Sequence, residues 1–293
     1  MSKTRYLVFG ASGMLGRRVM ERLHSQKMSG AAKVFGLTSE DCDITDETAV
    51  HDIVTKYHPD IIINCAAYTA VDKAESDAEA ADKVNHIGPA NIAKAAAETD
   101  ALLIHVSTDY VFDGTGTEPY TEDMQTSPIG VYGQTKLDGE KAITESGCKH
   151  VIVRTQWLYD SEGKNFFLTM LSLFGEKERL NVVNDQTGCP TYVVDLAKAL
   201  VTISQNYDGQ NGVYNYSCGG DCTWYDFATS IAQLAGAETR IFPVPTSEYP
   251  TPAKRPAYSV LSKDKIVETF GVKVRHWRKS LNKCYDNWER CEE

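Results

Sequence analysis

The chain has 293 residues, 30 Lys and Arg against 40 Asp and Glu, a formal charge of −10, and 42% hydrophobic residues. That composition is expected of a soluble globular protein and excludes a small disulfide or metal scaffold. The length fits two modest domains or one large α/β unit with an extra lobe, at roughly 100–200 residues per domain. The acidic balance argues against a surface that tracks nucleic acid or anionic lipid.

No apolar run approaches the roughly 18 residues of a membrane-spanning helix, and the apolar stretch near the amino terminus stops at a Gly-rich turn, too early for a secretion signal. A cytoplasmic location with no membrane partner is expected. The eight cysteines (Cys42, Cys65, Cys148, Cys189, Cys218, Cys222, Cys284 and Cys291) are scattered, and reduced thiols are the expectation. Cys218 and Cys222 lie four apart without a second pair of Cys or His at ligand spacing, so no metal is expected.

In chain order, residues 6–9 read as a strand and 14–23 as a helix with apolar residues at helical spacing. Residues 34–37 form a short strand, 46–57 a helix with an acidic first turn, and 60–64 a strand apolar on both faces, centred on Ile61, Ile62 and Ile63. An Ala-rich helical stretch covers 74–98, expected to break at Gly88-Pro89 because Pro89 lacks the backbone donor. A strand at 102–106, a helix at 132–146 and a strand at 151–154 complete the series. Strands alternating with helices predict a doubly wound, mostly parallel Rossmann-type α/β sheet. Beyond Arg154 the rhythm loosens. Helices are expected at 166–174, 192–204 and 224–234, strands at 180–183 and 213–216, a Pro-rich surface run at 244–256 and a last helix at 279–288.

Gly10-Ala-Ser12-Gly13-Met14-Leu15-Gly16 lies between the first strand and the first helix. Glycines at such a junction let the chain turn tightly and approach a pyrophosphate, which the helix N-terminus then holds through its free N–H groups. The second strand ends at Thr38 and Ser39 with no carboxylate where an NAD-selective site would hold the ribose 2′-hydroxyl. Those two residues, with Arg17 or Arg18 to balance charge, point to NADPH, with NADH possible. Residues 1–154 therefore read as an NAD(P)-binding Rossmann-type domain. Residues 155–293 read mainly as a substrate-binding lobe, with some segments returning to the sheet.

Tyr132 and Lys136 sit four apart at the start of a helix, on one face, downstream of Thr108 at a strand end. A neighbouring ammonium is expected to favour the phenolate of Tyr132 and lower its pKa, while Lys136 also grips a nicotinamide ribose. Thr108 is placed to hydrogen-bond a substrate carbonyl. Together these residues provide the proton that a carbonyl reduction needs.

At these residues the sequence resembles the extended short-chain dehydrogenase/reductases, and within them the dTDP-4-dehydrorhamnose reductase family. The resemblance covers nearly the whole chain, through Asn64-Cys-Ala-Ala-Tyr-Thr, Ser107-Thr-Asp-Tyr-Val-Phe-Asp-Gly114, Tyr132-Gly-Gln-Thr-Lys-Leu-Asp-Gly-Glu140, Arg154-Thr-Gln-Trp157, Asp185-Gln-Thr-Gly-Cys-Pro-Thr191 and Arg255-Pro256. It implies NADPH-dependent reduction of the C4 keto group of a nucleotide-linked deoxysugar, with Thr108, Tyr132 and Lys136 catalytic. It places Gly10, Ser12, Gly13, Met14, Leu15 and Gly16 at the pyrophosphate, and Asp43 and Ile44 beside the adenine. Ala66, Ala67 and Tyr68 would line the cofactor together with Tyr132 and Lys136. Thr108, Asp109, Tyr110 and Trp157 would meet the sugar, and Arg255 the diphosphate. Some family members dimerise through Mg²⁺ held by glutamates. The matching positions here are Arg18 and Val194, which cannot ligate a hard cation, so a monomer is expected. The alternatives are a reductase of another nucleotide-linked 4-keto sugar, or a non-catalytic NADP-binding regulatory subunit similar to the β subunit of methionine adenosyltransferase.

Overall fold

The computed structural model describes residues 3–28, 30 and 32–292. The first half runs β1 (Thr4–Phe9), α1 (Met14–Met28), β2 (Ala32–Leu37), α2 (Glu47–Tyr57), β3 (Ile61–Asn64), α3 (Val71–Ala74), α4 (Ala78–Asp82), a π-turn (Lys83–Ile87), α5 (Gly88–Glu98), β4 (Leu102–Thr108), α6 (Val131–Glu145) and β5 (Lys149–Thr155). The second half continues with β6 (Leu158–Tyr159), α7 (Phe166–Glu176), β7 (Arg179–Val183), β8 (Thr187–Gly188), β9 (Thr191–Tyr192), α8 (Val193–Asn206), β10 (Gly212–Asn215), β11 (Cys222–Thr223), α9 (Trp224–Ala235), β12 (Arg240–Val244), α10 (Asp264–Phe270) and α11 (Trp277–Glu292).

The main sheet has six strands in the order β10-β5-β4-β3-β1-β2, all parallel. Its two faces are written in the alternation of the strands. Tyr6, Val8, Ile61, Ile63, Leu102, Ile104, Val151 and Val153 point to the face that carries the buried residues of α1 and α8. Leu7, Phe9, Ile62, Leu103 and Ile152 point to the other, which carries those of α2, α5 and α6. Both layers are dry, which is why these strands read as continuous apolar runs. β10 and α8 come from the second half of the chain, so that half helps build the main sheet and one of its layers. A separate core of Tyr159, Phe167, Tyr192, Phe227, Ile231, Trp277 and Leu281 holds the lobe together.

Strand order reverses at β1, with β2 on one side and β3 on the other. Such switch points leave a crevice at the carboxyl ends of the strands, where α/β sheets bind ligands.

The expected break at Gly88-Pro89 is not there: Gly88 is helical and α5 starts on it directly from the π-turn. Pro89 would deprive the Asn85 carbonyl of its normal partner. The wide turn tips that carbonyl outward instead, where it lies so close to Gly139 of α6 that an added Cβ would meet it at 2.2 Å. The interruption lies earlier, at residues 75–77 between α3 and α4. β12, a strand the sequence reading did not place, ends at Val244 where the Pro-rich run begins and pairs in parallel with β7 as a small second sheet.

Candidate active site

The glycine loop turns at Gly10, whose φ is +72°. A Cβ there would strike the Ala66 amide nitrogen at 2.6 Å, and one at Gly16 would strike the Gly10 carbonyl oxygen at 2.0 Å. These two glycines pack the loop against the end of β3 and onto itself. Gly13 differs: it is exposed, and its Cβ would meet only the Gly10 carbonyl oxygen, at 3.3 Å. The protein's own packing leaves that space above the start of α1 open, as close approach of a phosphate requires. Ser12 is exposed beside it and Met14 half-buried, while the Leu15 side chain belongs to the core.

Asp43 uses its Oδ1 to accept from the backbone nitrogen and hydroxyl of Thr45, both at 2.9 Å, and Ile44 is buried with its carbonyl accepting from Asn91 Nδ2 at 3.0 Å. The stretch from Ala66 to Tyr68 runs half-buried across the end of β3. Asn85 pins it by accepting from the Tyr68 nitrogen at 2.9 Å and donating to the Tyr68 oxygen at 3.1 Å. Asn85 sits in the π-turn, so the irregular helix has a local purpose.

The reading of Thr38 and Arg18 as free partners for a 2′-phosphate needs correction. The Thr38 nitrogen and hydroxyl both donate to Asp41 Oδ2, at 2.8 and 2.7 Å. Arg18 is held by Asp160 at 2.7 and 3.1 Å, Glu21 at 3.0 Å and Glu162 at 3.0 Å. Arg17, about 42% exposed and 3.6 Å from Glu162, has its Nε buried without a partner.

Thr108, Asp109, Tyr110 and Tyr132 come together at the end of β4. α6 can lie directly on the turn after β4 because Gly133 lacks a side chain: a Cβ there would come within 2.2 Å of the Tyr110 carbonyl oxygen. Behind it, Glu140 of α6 accepts from Arg154 Nε at 3.0 Å and Nη2 at 2.7 Å and from the Ser107 hydroxyl, clamping the helix to β4 and β5. Both charged side chains are about 95% buried. The Tyr132 phenol interacts with the Thr108 hydroxyl and meets the Tyr110 ring edge-on at 5.5 Å. Thr108 Oγ1 accepts from the Tyr110 nitrogen at 3.2 Å and donates to Asp109 Oδ1 at 3.0 Å.

The expectation that Lys136 lowers the Tyr132 pKa is overturned. Burial raises the phenol above its ordinary value, only partly offset by Thr108, and Asp109 and Tyr110 raise it further. Lys136 shares the helix face, but its ammonium is directed elsewhere: Nζ donates to the Val106 carbonyl oxygen at 2.7 Å and lies 3.4 Å from His105 Nε2. The Ala66 nitrogen donates to Asn64 Oδ1 at 3.0 Å, which leaves the Asn64 amide NH₂ to face His105 Nδ1 at 3.1 Å. His105 Nδ1 is thus the acceptor and Nε2 carries the hydrogen, toward Lys136. Burial brings the Lys136 pKa down to about 8 and keeps His105 well below its usual value. The Tyr132 phenol in front of this pair keeps its proton at neutral pH.

Tyr110, Trp157 and Arg255 line one cavity of about 510 Å³ with Asp72, Phe166, Met170, Trp224 and Tyr249 among its walls. Trp157 has a left-handed backbone, φ 47°, a conformation that costs about 1–3 kcal/mol for a non-glycine residue. That strain sets its indole flat on Trp224, ring centroids 3.7 Å apart and 12° from parallel. Arg255 Nη2 donates to Asp72 Oδ2 at 2.7 Å, whereas its Nη1 is buried without a partner; the guanidinium also interacts with the Tyr110 phenol. Asn64, Asn85, His105, Glu140, Arg154 and Asp72 were given no role from the sequence, although all but His105 lie in stretches that carry the family resemblance. The available signal was a polar residue inside an apolar strand or helix face, as with His105 and Arg154.

Among the described residues no three His, Cys, Asp or Glu side chains are grouped to hold a metal, and no helix is long and apolar enough to cross a membrane. Cys189, Cys218 and Cys222 are free buried thiols in the lobe.

Comparison with known proteins agrees with this geometry. The chain is 42% identical over 281 residues to the dTDP-4-dehydrorhamnose reductase of Salmonella typhimurium, covering 92% of this chain and 93% of that one. Its fold superimposes with a TM-score of 0.93 on the dTDP-4-dehydrorhamnose reductase of Clostridium acetobutylicum, at 41% identity over 98% of this chain and all of that one. The same enzyme from Bacillus anthracis, solved in complex with NADP, matches with a TM-score of 0.93 at 36% identity, again over 98% of this chain and all of that one. The RmlD substrate binding domain family matches residues 4–290, and the chain belongs to that family.

Proposed function

We propose that this protein reduces the C4 keto group of dTDP-4-dehydro-L-rhamnose with NADPH, giving dTDP-L-rhamnose. The observation that carries the reading is a proton-bearing tyrosine and a strand-end threonine hydroxyl meeting at the end of β4, on the same carboxyl edge of the sheet as a glycine loop left open at Gly13. The open loop fits a dinucleotide. The backbone of Gly13, Met14 and Leu15 would hold its pyrophosphate, Asp43 and Ile44 would border the adenine, and Ala66, Ala67, Tyr68, Tyr132 and Lys136 would line the remainder. When bound, NADPH supplies the hydride.

The protein's own residues do the rest. The Thr108 hydroxyl and the Tyr132 phenol meet at the end of β4, where a sugar carbonyl oxygen would accept from the phenol, and from the Thr108 hydroxyl once its hydrogen turns away from Asp109 Oδ1. As negative charge develops on that oxygen, Tyr132 gives up its proton. Its raised pKa keeps the phenol loaded for that step. Tyr110 and the Trp157–Trp224 stack offer flat apolar walls suited to a deoxysugar, and Arg255, which lines the same cavity, would serve as a diphosphate partner. Residues 1–154 thus serve the cofactor and proton chemistry. Residues 155–293 mainly shape the sugar-nucleotide site, while β10 and α8 support the sheet.

A monomer in the cytoplasm is part of this reading. It is supported by Arg18, whose guanidinium is already committed to Asp160, Glu21 and Glu162 within the chain. Sedimentation at micromolar concentration tests it. The catalytic reading is tested by following NADPH absorbance with enzymatically prepared dTDP-4-dehydrorhamnose. The intact set of buried Thr108 and Lys136 with half-buried Tyr132 favours an enzyme over a regulatory subunit.

A further inference from the structure

The cavity wall that carries Arg255 is a strap with little means of holding itself in shape. Pro245, Pro250, Pro252 and Pro256 all fall within it, and each lacks the backbone N–H that local structure would use. Its ends are fixed. The Thr246 nitrogen donates to both carboxylate oxygens of Asp185 at 2.9 Å, and just past the strap the Tyr258 nitrogen donates to the Gly114 carbonyl oxygen at 3.0 Å. Between those points, residues 247–256 make one backbone hydrogen bond to a distant part of the described chain: the Ala253 nitrogen donates to Asp72 Oδ1 at 3.1 Å. The second oxygen of the same carboxylate, Oδ2, accepts from Arg255 Nη2 at 2.7 Å. One side chain from α3 thus holds both the middle of the strap and the guanidinium it presents.

We propose that Asp72 is the positioning residue that latches this strap over the cavity and presets Arg255 for the diphosphate of the substrate. This rests on Arg255 as the diphosphate partner in the reductase reading. Asp72 and Arg255 line the same cavity. On an unlatched strap the long arginine side chain would have to be ordered when the ligand arrives, and that ordering is subtracted from affinity. A carboxylate suits the task because two donors, one from the main chain and one from a guanidinium, need two acceptor oxygens. Its bond to Arg255 uses Nη2, while Nη1 has no hydrogen-bond partner within the protein. Stability is not what the pair supplies: the Asp72 side chain is 42% exposed, and an ion pair so open to water contributes little to folding.

Charge alone predicts the reverse effect. A carboxylate beside a bound diphosphate repels it, so if Asp72 did nothing else, its removal would tighten binding of the anion. As a latch it does the opposite, and its removal weakens binding. The two accounts therefore differ in sign. The latch also has a consequence for layout: α3 starts at Val71, directly after the Ala66–Tyr68 stretch assigned to the cofactor, so Asp72 ties the sugar-nucleotide wall to the cofactor side of the crevice.

The test titrates wild type and Asp72→Ala with dTDP and with dTMP by calorimetry in saturating NADP⁺. Wild type is expected to bind dTDP more tightly than dTMP. Asp72→Ala should bind dTDP roughly 2- to 10-fold more weakly, as expected for ordering one long side chain on binding, with dTMP within about 2-fold of wild type. Amide exchange across residues 247–256 should be faster in the ligand-free variant than in wild type. With dTDP-4-dehydrorhamnose as substrate, KM should rise by a larger factor than kcat falls. In an Arg255→Ala background, Asp72→Ala should change dTDP affinity by less than about 2-fold, because its route to the diphosphate is gone. Unchanged or tighter dTDP binding by Asp72→Ala, equal losses for dTDP and dTMP, or losses that add in the double variant would each overturn the latch. Should Asp72→Ala fail to fold, Asp72→Asn takes its place, with one acceptor oxygen for two donors and the same sign expected. A wild type that binds dTDP no more tightly than dTMP removes the ligand assigned to Arg255, and the latch with it. Absence of NADPH oxidation by a wild type that shows the expected binding pattern overturns the reductase reading and leaves the latch standing.

Discussion

Replacing Gly133 by Ala tests whether the tyrosine is positioned by close packing of α6 on the turn after β4. The added Cβ would stand 2.2 Å from the Tyr110 carbonyl oxygen, against the 3.0 Å below which real Cβ contacts are essentially not found. The helix must therefore retreat by at least about 0.8 Å, and the obstacle is backbone, which cannot swing aside. Overpacking of this kind costs roughly 1–3 kcal/mol. A displacement near 1 Å at a reacting group costs about 10²-fold in rate. Gly133→Ala should then lower kcat/KM about 100-fold, measured by NADPH absorbance, and shift urea unfolding by about 1–3 kcal/mol. Gly175→Ala is the control: nothing lies within 4 Å of its would-be Cβ, and it sits in α7, so the change should be neutral or stabilising by up to about 1 kcal/mol with activity unchanged. Wild-type activity and stability in Gly133→Ala would refute the packing argument.

Tyr132→Phe should lower kcat roughly 10²- to 10⁴-fold while NADPH binding, followed by fluorescence titration, stays within a few fold. Glu140→Ala leaves the Arg154 guanidinium buried and unpaired, and should cost about 3–5 kcal/mol in chemical unfolding. The Asp109 carboxyl stands near 7 in the folded chain against 3.8 ordinarily, so its favourable contribution is full below pH 3.8 and lost as pH rises through 7. Asp109→Asn should therefore be more stable than wild type at pH 8, by on the order of 4 kcal/mol, with the gap nearly closed at pH 4; thermal melts at the two pH values read it.

What the sequence disclosed depended on whether a feature is local. The alternation of β1, β3, β4 and β5 shows two dry faces, and Gly10, Gly13 and Gly16 mark the strand-to-helix turn without reference to anything distant. The spacing of Tyr132 and Lys136 put both on one helix face, but not what lies opposite. The Lys136 ammonium follows the Val106 carbonyl and His105, thirty residues upstream, and so leaves Tyr132 to be governed by its own burial. Arg18 looked free for a phosphate because its partner Asp160 lies 142 positions away. Pro89 marked a helix end by a rule that holds for an α-helical register; the π-turn before it removes the conflict. Gly133 stands within a motif quoted for its tyrosine and lysine, and its own role emerges only from the Tyr110 carbonyl packed against it.

The most direct measurement is the NADPH consumed and dTDP-L-rhamnose formed on dTDP-4-dehydrorhamnose, with wild type and Tyr132→Phe side by side. Equimolar NADPH loss and product formation by the wild type, lowered at least 100-fold in the variant, is the expected result. No oxidation by the wild type, or equal turnover by both proteins, would contradict a reductase that protonates its substrate from Tyr132.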